Sequence, residues 1–275
     1  MARKHRWILA ATAALACLLG ALPVGAPAST AATSLTPTQR RIADELVSVF
    51  ENSTTRIRYD YVENLHDGCG LTAGRAGFCS ATGDMLLAVQ AYVAADPGTP
   101  LARYLPVLRA RAAARSASTR GLGTAFVRDW RAAAQDTAFR AAQDAIVDRL
   151  YFAPAAFLAS ASHLRTPLAT AIFYDTAIQH GTGKDPDGLL TLIARTRARA
   201  GGLPGGRIGE RRWLATFLRV RRADLKHPHN RDRRADWPES VGRVDALAQL
   251  LRDGHTGLTP PVRVDPWGGE PFVLR

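Results

Sequence analysis

Glu51 and Asp67 stand on either side of a short alternating run, and two carboxyl groups held apart can divide acid and base work between them. Glu51 closes a helix-patterned segment ending in VSVFEN. There the partial negative charge of a helix C-terminus and the apolar neighbours Val49 and Phe50 both disfavour ionisation. A carboxyl kept protonated towards neutral pH can serve as a general acid. Asp67 lies in His66-Asp67-Gly68, a turn signal exposed to water, and is expected to stay ionised. Such a pair suits cleavage of a glycosidic bond. The same residues also read as an ordinary helix-end glutamate and turn aspartate, and their spacing alone does not choose between the two.

The elements that must position these groups read as mainly helical. Thr36-Pro37-Thr38-Gln39 has the form of a capping box with proline at the first helical position, and Ile42, Leu46, Val49 and Phe50 follow on one face. This predicts a helix running into Glu51 and stopping near Asn52-Ser53. Ile57, Tyr59 and Tyr61 alternate with Arg56, Arg58 and Asp60, the pattern of a half-buried strand. The glycine-rich stretch from Gly68 to Gly83 predicts a short sheet or irregular loops. Helix resumes near Asp84 with Met85, Val89 and Tyr92. Further helices are predicted over 101–115, 125–150, 166–180, 187–200, 209–226 and 239–253, with Asp185-Pro186 opening one and Gly201-Gly202 closing it. The segments 201–206 and 226–234 read as loops, and the tail TPPVRVDPWGGEPFVLR reads as an extended strap. Two charges fall on core-facing stripes. Asp175 shares a helical face with Leu168, Ala171 and Ile172, and Arg221 shares one with Trp213 and Phe217, which points to a buried ion pair.

The chain has 275 residues and a formal net charge of +12. Its start, Arg3-Lys4-His5-Arg6 followed by WILAATAALACLLGALPVG and Ala26-Pro27-Ala28, has the form of a cleaved secretion signal spanning residues 1–28. Cleavage removes Arg3, Lys4 and Arg6 but no acid, so the mature protein stays basic. Its arginines are spread over nearly every helix. Neither zinc-finger spacing nor an aromatic RNA-binding motif accompanies them, so a nucleic-acid partner is not expected. Residues 29–36 read as a linker and residues 37–275 as one catalytic domain, large enough for two lobes around a cleft. A secreted chain permits a disulfide between Cys69 and Cys79, but their spacing does not establish one.

The run ENSTTRIRYDYVENLHDGCGLTAGRAGFCSATGDM resembles the catalytic segment of glycoside hydrolase family 46, the bacterial endo-chitosanases. GLGTAFVRDWRAAAQDTAFRAAQDAIVDRLYFAPA, FYDTAIQHGTGKDP, GRVDAL and TPPVRV continue the resemblance in family order. It implies a lysozyme-like, two-lobed fold, mainly α with a small β-sheet and a substrate cleft between the lobes. It also implies inverting hydrolysis of β-1,4 bonds between glucosamine units. In that reading Glu51 is the general acid, Asp67 the general base and Thr72 the residue that helps hold the attacking water. Asn52, Tyr61, Glu63, Asp84 and Tyr151 are substrate-binding, and Asp175, Arg221 and Arg243 form a buried network behind the acid. No metal or cofactor is implied. The expected partner is chitosan or a related amino-sugar polysaccharide, met outside the cell by a monomer with no stable membrane association after signal cleavage.

The chain departs from the family in several places. The Glu51–Asp67 segment is shorter, Cys69 stands where an arginine is usual, Leu71 replaces an aromatic, and Lys226–Arg234 is longer and more basic. Two other readings keep part of this picture: a lysozyme-like hydrolase of partly acetylated chitin or peptidoglycan, and a non-catalytic cationic polysaccharide-binding protein.

Overall fold

The computed structural model describes residues 35–66 and 68–275; the expected signal segment, most of the expected linker and Asp67 lie outside the described residues. Helix α1 (Pro37–Asn52) starts as its sequence dictates. Thr36 Oγ1 accepts the Gln39 N–H and Gln39 Oε1 accepts the Thr36 N–H, with Pro37 in the first turn. It ends at Ser53, whose left-handed conformation closes the last turn.

The alternating run that follows is not a strand. Trp130 Nε1 and Gln143 Nε2 both donate to the Tyr59 carbonyl, at 3.0 and 3.2 Å, and the Tyr61 N–H turns back onto the Arg58 carbonyl. Side chains thus occupy an acceptor that a sheet partner would need, and the alternation records contacts with the helical core. Pairing begins only at β1 (Val62–Glu63), which joins β2 (Thr72–Ala73) and β3 (Phe78–Cys79) in an antiparallel sheet of order β1-β2-β3.

Helices α2 (Asp84–Ala95) and α4 (Thr124–Ala133) contact this sheet, and α3 (Leu105–Ala114) and α5 (Thr137–Val147) pack on α2. The single helix expected over 125–150 is broken. Asp136 caps α5 by accepting the Ala138 N–H, and its second oxygen accepts the Tyr92 hydroxyl. Beyond α5 a π-helical turn (Asp148–Phe152) leads into α6 (Ala153–Ala161), an element the periodicity did not separate. The second half comprises α7 (Pro167–His180), α8 (Leu189–Ala200), α9 (Glu210–Lys226) and α10 (Val241–Arg252). Helix α8 starts after the expected Asp185-Pro186, because the Asp185 side chain caps a turn by accepting the Asp187 N–H. The segment after α9 is a loop with two short 3-10 turns, Arg231–Arg233 and Trp237–Ser240, the second leading into α10.

The tail folds into an antiparallel pair, β4 (Val262–Val264) and β5 (Phe272–Leu274), and β5 lies on α1. Its approach to α10 requires glycine at 242, where a Cβ would stand 1.9 Å from the Pro266 carbonyl oxygen. One large hydrophobic core runs through both halves, from Trp130 and Phe139 on one side to Trp213, Phe217 and Leu247 on the other, and Cys69, Cys79 and Ala81 form a small separate cluster. Among the described residues no helix is long and apolar enough to cross a membrane.

Candidate active site

Glu51 sits in the last turn of α1 and is 7% exposed. Burial pushes its carboxyl above the usual carboxylate range, and Arg243 on α10 opposes that by donating from Nη2 to Oε1 at 2.7 Å. The same Nη2 lies 2.6 Å from Asp175 Oδ1 on α7, and Asp175 Oδ2 accepts Arg221 Nη1 on α9 at 2.6 Å. Burial alone would raise the Asp175 carboxyl, but Arg221 and Arg243 together hold it below its ordinary range. Two carboxyls in one network are thereby pushed apart, Asp175 towards the ionised form and Glu51 towards the protonated one. The buried charges come from four helices, α1, α7, α9 and α10, and each depends on the others for compensation.

On the sheet side, Thr72 faces Glu63 across β1 and Cys79 across β3. Thr72 Oγ1 is buried and has no hydrogen-bond partner among the described residues. Glu63 is exposed and accepts the Tyr61 hydroxyl at 3.1 Å. Asn52 is half-buried at the end of α1. Cys69 and Cys79 are joined by a disulfide with Cα atoms 5.1 Å apart, tying the segment that leads into β2 to β3.

Asp84, at the start of α2, is almost wholly buried. Its Oδ1 accepts the Cys79 N–H (2.8 Å), the Thr82 hydroxyl (2.8 Å) and its neighbour's N–H at Met85 (3.0 Å). Among the described residues, Oδ2 accepts only the Tyr151 hydroxyl, at 3.2 Å, which leaves it capacity for a further donor. Burial raises the Asp84 carboxyl, with the hydrogen bond from Thr82 leading the groups that oppose it. Tyr151 reaches this position from the π-helical turn, a distortion often found where a helix must re-aim a side chain. Its hydroxyl also lies within electrostatic reach of Glu51, so the acid, Tyr151 and Asp84 share one region. Asp67 lies outside the described residues.

Several residues that support this site were not singled out in the sequence. Gln179 Oε1 accepts Arg221 Nη2 at 2.7 Å, and His180 Nε2 lies 3.2 Å from Arg221 Nε. Gln179 stands one helical turn beyond Asp175 on α7, so helical spacing could have found it. His180 carried no such signal. Two turns before Glu51 on α1, Asp44 pairs with Arg75 at 2.6 Å, and Arg75 also pairs with Asp144. Asp187, Asp224 and His229 place potential ligand atoms within 4.8 Å of one another. Asp187 Oδ1 already accepts the backbone and ring nitrogens of His229, however, and Oδ2 accepts the Asn230 N–H and Arg233 Nη1. The Asp187 carboxylate therefore acts as the anchor of the 226–234 loop.

A mainly helical chain with a small sheet, whose desolvated Glu51 carboxyl is braced from behind by Arg243, fits a glycoside hydrolase of lysozyme-like fold. The chain belongs to glycosyl hydrolase family 46, whose family model matches residues 45–262. A chitosanase of Bacillus subtilis is 47% identical over 244 residues, which are 89% of this chain and 88% of that protein. A Streptomyces chitosanase is 37% identical and matches over the full length of both chains. Among solved structures, a Gynuella sunshinyii chitosanase in complex with chitotetraose superposes with a TM-score of 0.83 at 46% identity, covering 88% of this chain and 99% of that one.

Proposed function

We propose that this chain is a secreted endo-chitosanase that hydrolyses β-1,4 bonds between glucosamine units with inversion of the anomeric carbon. The observation that carries the reading is the buried Glu51 carboxyl, raised by desolvation and aimed by Arg243. Glu51 donates its proton to the leaving glycosidic oxygen. Asp67 takes a proton from a water on the opposite face of the sugar, and Thr72 helps to hold that water. Inverting pairs stand about 6.5–9.5 Å apart to admit the water. The glucosamine ammonium suits Asp84 Oδ2, which has capacity for another donor beside Tyr151, while Asn52, Tyr61 and Glu63 line the same substrate path. The relatives support the substrate class: those matched are chitosanases, and one solved neighbour is a complex with six GlcN units.

In this reading residues 1–28 are removed as a signal peptide, residues 29–36 link to a catalytic domain over 37–275, and the enzyme acts outside the cell as a monomer. Reducing-end release from highly deacetylated chitosan tests the proposal. Hydrolysis by the wild type should fall by about 10²–10⁴ in Glu51→Gln and in Asp67→Asn. NMR of the first-formed anomer should show inversion. A wild type that is inert on chitosan but cleaves peptidoglycan would overturn the substrate assignment, and one that only binds polysaccharide would overturn the catalytic one.

A further inference from the structure

The network behind Glu51 does not end at Arg221. This guanidinium is fully buried and spends its three donor directions on three partners: Nη1 on Asp175, Nη2 on Gln179 and Nε on His180. An arginine cannot accept a hydrogen bond, so His180 Nε2 must be the acceptor and must carry no proton. The imidazole proton is then on Nδ1, which lies 2.8 Å from the Asp187 carbonyl and donates to it.

Burial and the neighbouring arginines favour the neutral ring, opposed by the hydrogen bond to the Asp187 carbonyl. Complete burial holds the imidazole well below its ordinary pKa, and the adjacent Arg221 adds to that, followed by Arg233 and Arg243. Asp224, on α9, is the acid facing it, with Oδ2 at 3.7 Å from Nδ1. Trp237 packs edge-on against the ring at 4.5 Å between centroids and blocks its rotation. Asp187 is also tied down through its side chain, which accepts the His229 and Asn230 N–H groups and Arg233.

We propose that His180 is a positioning residue for the catalytic acid: a neutral Nδ1–H imidazole, held by the Asp187 carbonyl, that orients Arg221 and, through Asp175 and Arg243, the carboxyl of Glu51. The inference rests on Glu51 acting as the general acid. It also gives the basic 226–234 segment a task, since that segment anchors the residue on which His180 leans.

The expected sign follows from the charges that face Glu51. Arg243 and Arg221 lower its pKa and Asp175 raises it, while Tyr151 faces it from the π-helical turn. Without an acceptor for Nε, Arg221 is pulled from its position and Asp175 is less fully neutralised. Asp175 then competes harder for Arg243 and repels the Glu51 carboxylate, so Glu51 holds its proton to higher pH.

The test compares pH profiles of kcat and KM on chitosan for the wild type, His180→Phe and His180→Gln. Phe keeps a ring against Trp237 but removes the acceptor, whereas Gln keeps an acceptor for Arg221. In His180→Phe the alkaline limb of kcat should move up by about half a pH unit or more, with kcat down about tenfold and KM within about twofold. His180→Gln should stay near the wild type. An unmoved limb in His180→Phe, or equal losses in both variants, would overturn the proposal. A second measurement needs no variant: long-range 1H–15N spectra of the 15N-histidine-labelled wild type. They should show His180 protonated on Nδ1 and not titrating between about pH 4 and 8. An Nε2–H tautomer, or a titration in that range, would overturn it. Glu51→Gln serves as the control. If it stays active, the general-acid reading fails; if it is dead while the His180→Phe limb is unmoved, only the role of His180 fails.

Discussion

Arg243 Nη2 lies 2.7 Å from Glu51 Oε1, and the same nitrogen is 2.6 Å from Asp175 Oδ1, so one donor bridges a carboxyl built to hold a proton and one built to lose it. The stability of the interior and the chemistry of the site therefore depend on the same few atoms.

Removing Asp175 leaves Arg221 without a carboxylate and Arg243 with Glu51 alone. Asp175→Ala should cost about 3–5 kcal/mol, read as a large fall in the denaturant midpoint at constant slope. Asp245→Ala, which breaks a half-exposed pair with Arg222, should cost less than about 1 kcal/mol. Similar losses in the two variants would contradict the assignment of Asp175 as the keystone of the buried charges.

The raised Glu51 carboxyl has a consequence for stability with a definite sign. The folded state holds this proton more tightly than the unfolded chain does. The contribution to stability is thus fully present below the unfolded pKa and is lost as pH rises through the folded one. Glu51→Gln cannot ionise, so it should melt a few degrees above the wild type under mildly alkaline conditions, and the gap should close on acidification. Asp175 has the opposite sign, since its lowered carboxyl supports folding above the unfolded pKa and fails as pH falls through the folded one. Thermal scans of Glu51→Gln and wild type across pH decide the first point. A gap that widens in acid would refute it.

Asp84 combines a structural and a binding task on different oxygens. Its Oδ1 holds the Cys79 N–H, the Thr82 hydroxyl and the start of α2, while Oδ2 meets Tyr151. Asp84→Asn should raise KM for chitosan by about 10–100-fold, the loss of one charge-assisted contact, with a smaller effect on kcat. Initial-rate kinetics on the folded variant check this, and a loss confined to kcat would place Asp84 in the chemistry instead.

The Cys69–Cys79 bond encloses β2, with Thr72, and the turn into β3. The double variant Cys69→Ser with Cys79→Ser should lose about 2–4 kcal/mol of stability. Adding reductant to the wild type should reproduce that loss while leaving the variant unchanged. Equal melting of oxidised and reduced protein would show that the sheet holds without the bond.

Much of this arrangement could be read from residue order, because it depends on local rules. The Thr36–Gln39 capping box fixes the start of α1, and the face Ile42, Leu46, Val49 and Phe50 fixes which side is buried. The stripes holding Asp175 and Arg221 placed both charges in the interior, where each is at most 1% exposed. The misreadings came from distant partners. Nothing local says that the Tyr59 carbonyl will be taken by Trp130 and Gln143, so the alternation at Ile57–Tyr61 passes for a strand. The break at Asp136 was locally signalled by a good N-cap residue, but the helix pattern on either side obscured it. His180 had no local signature at all. Its partners Arg221 and Asp187 lie on other elements, and a histidine at a helix end is unremarkable until those elements are packed around it.

The tail has a bearing on how the protein can be engineered. The Arg275 N–H donates to Glu45 on α1, Arg41 donates back to the Arg275 carbonyl oxygen, and Gln39 donates to the Gly257 carbonyl. The last residue thus lies within one turn of the first described helix, the same helix that ends in Glu51. A peptide tag or accessory module joined directly at Arg275 would press on α1, so a fusion needs a spacer. The same closeness makes a circular permutant attractive: a short linker would run from Arg275, already bonded to Glu45 and Arg41, back to Thr36 at the start of the same helix, freeing a surface loop to become the new terminus.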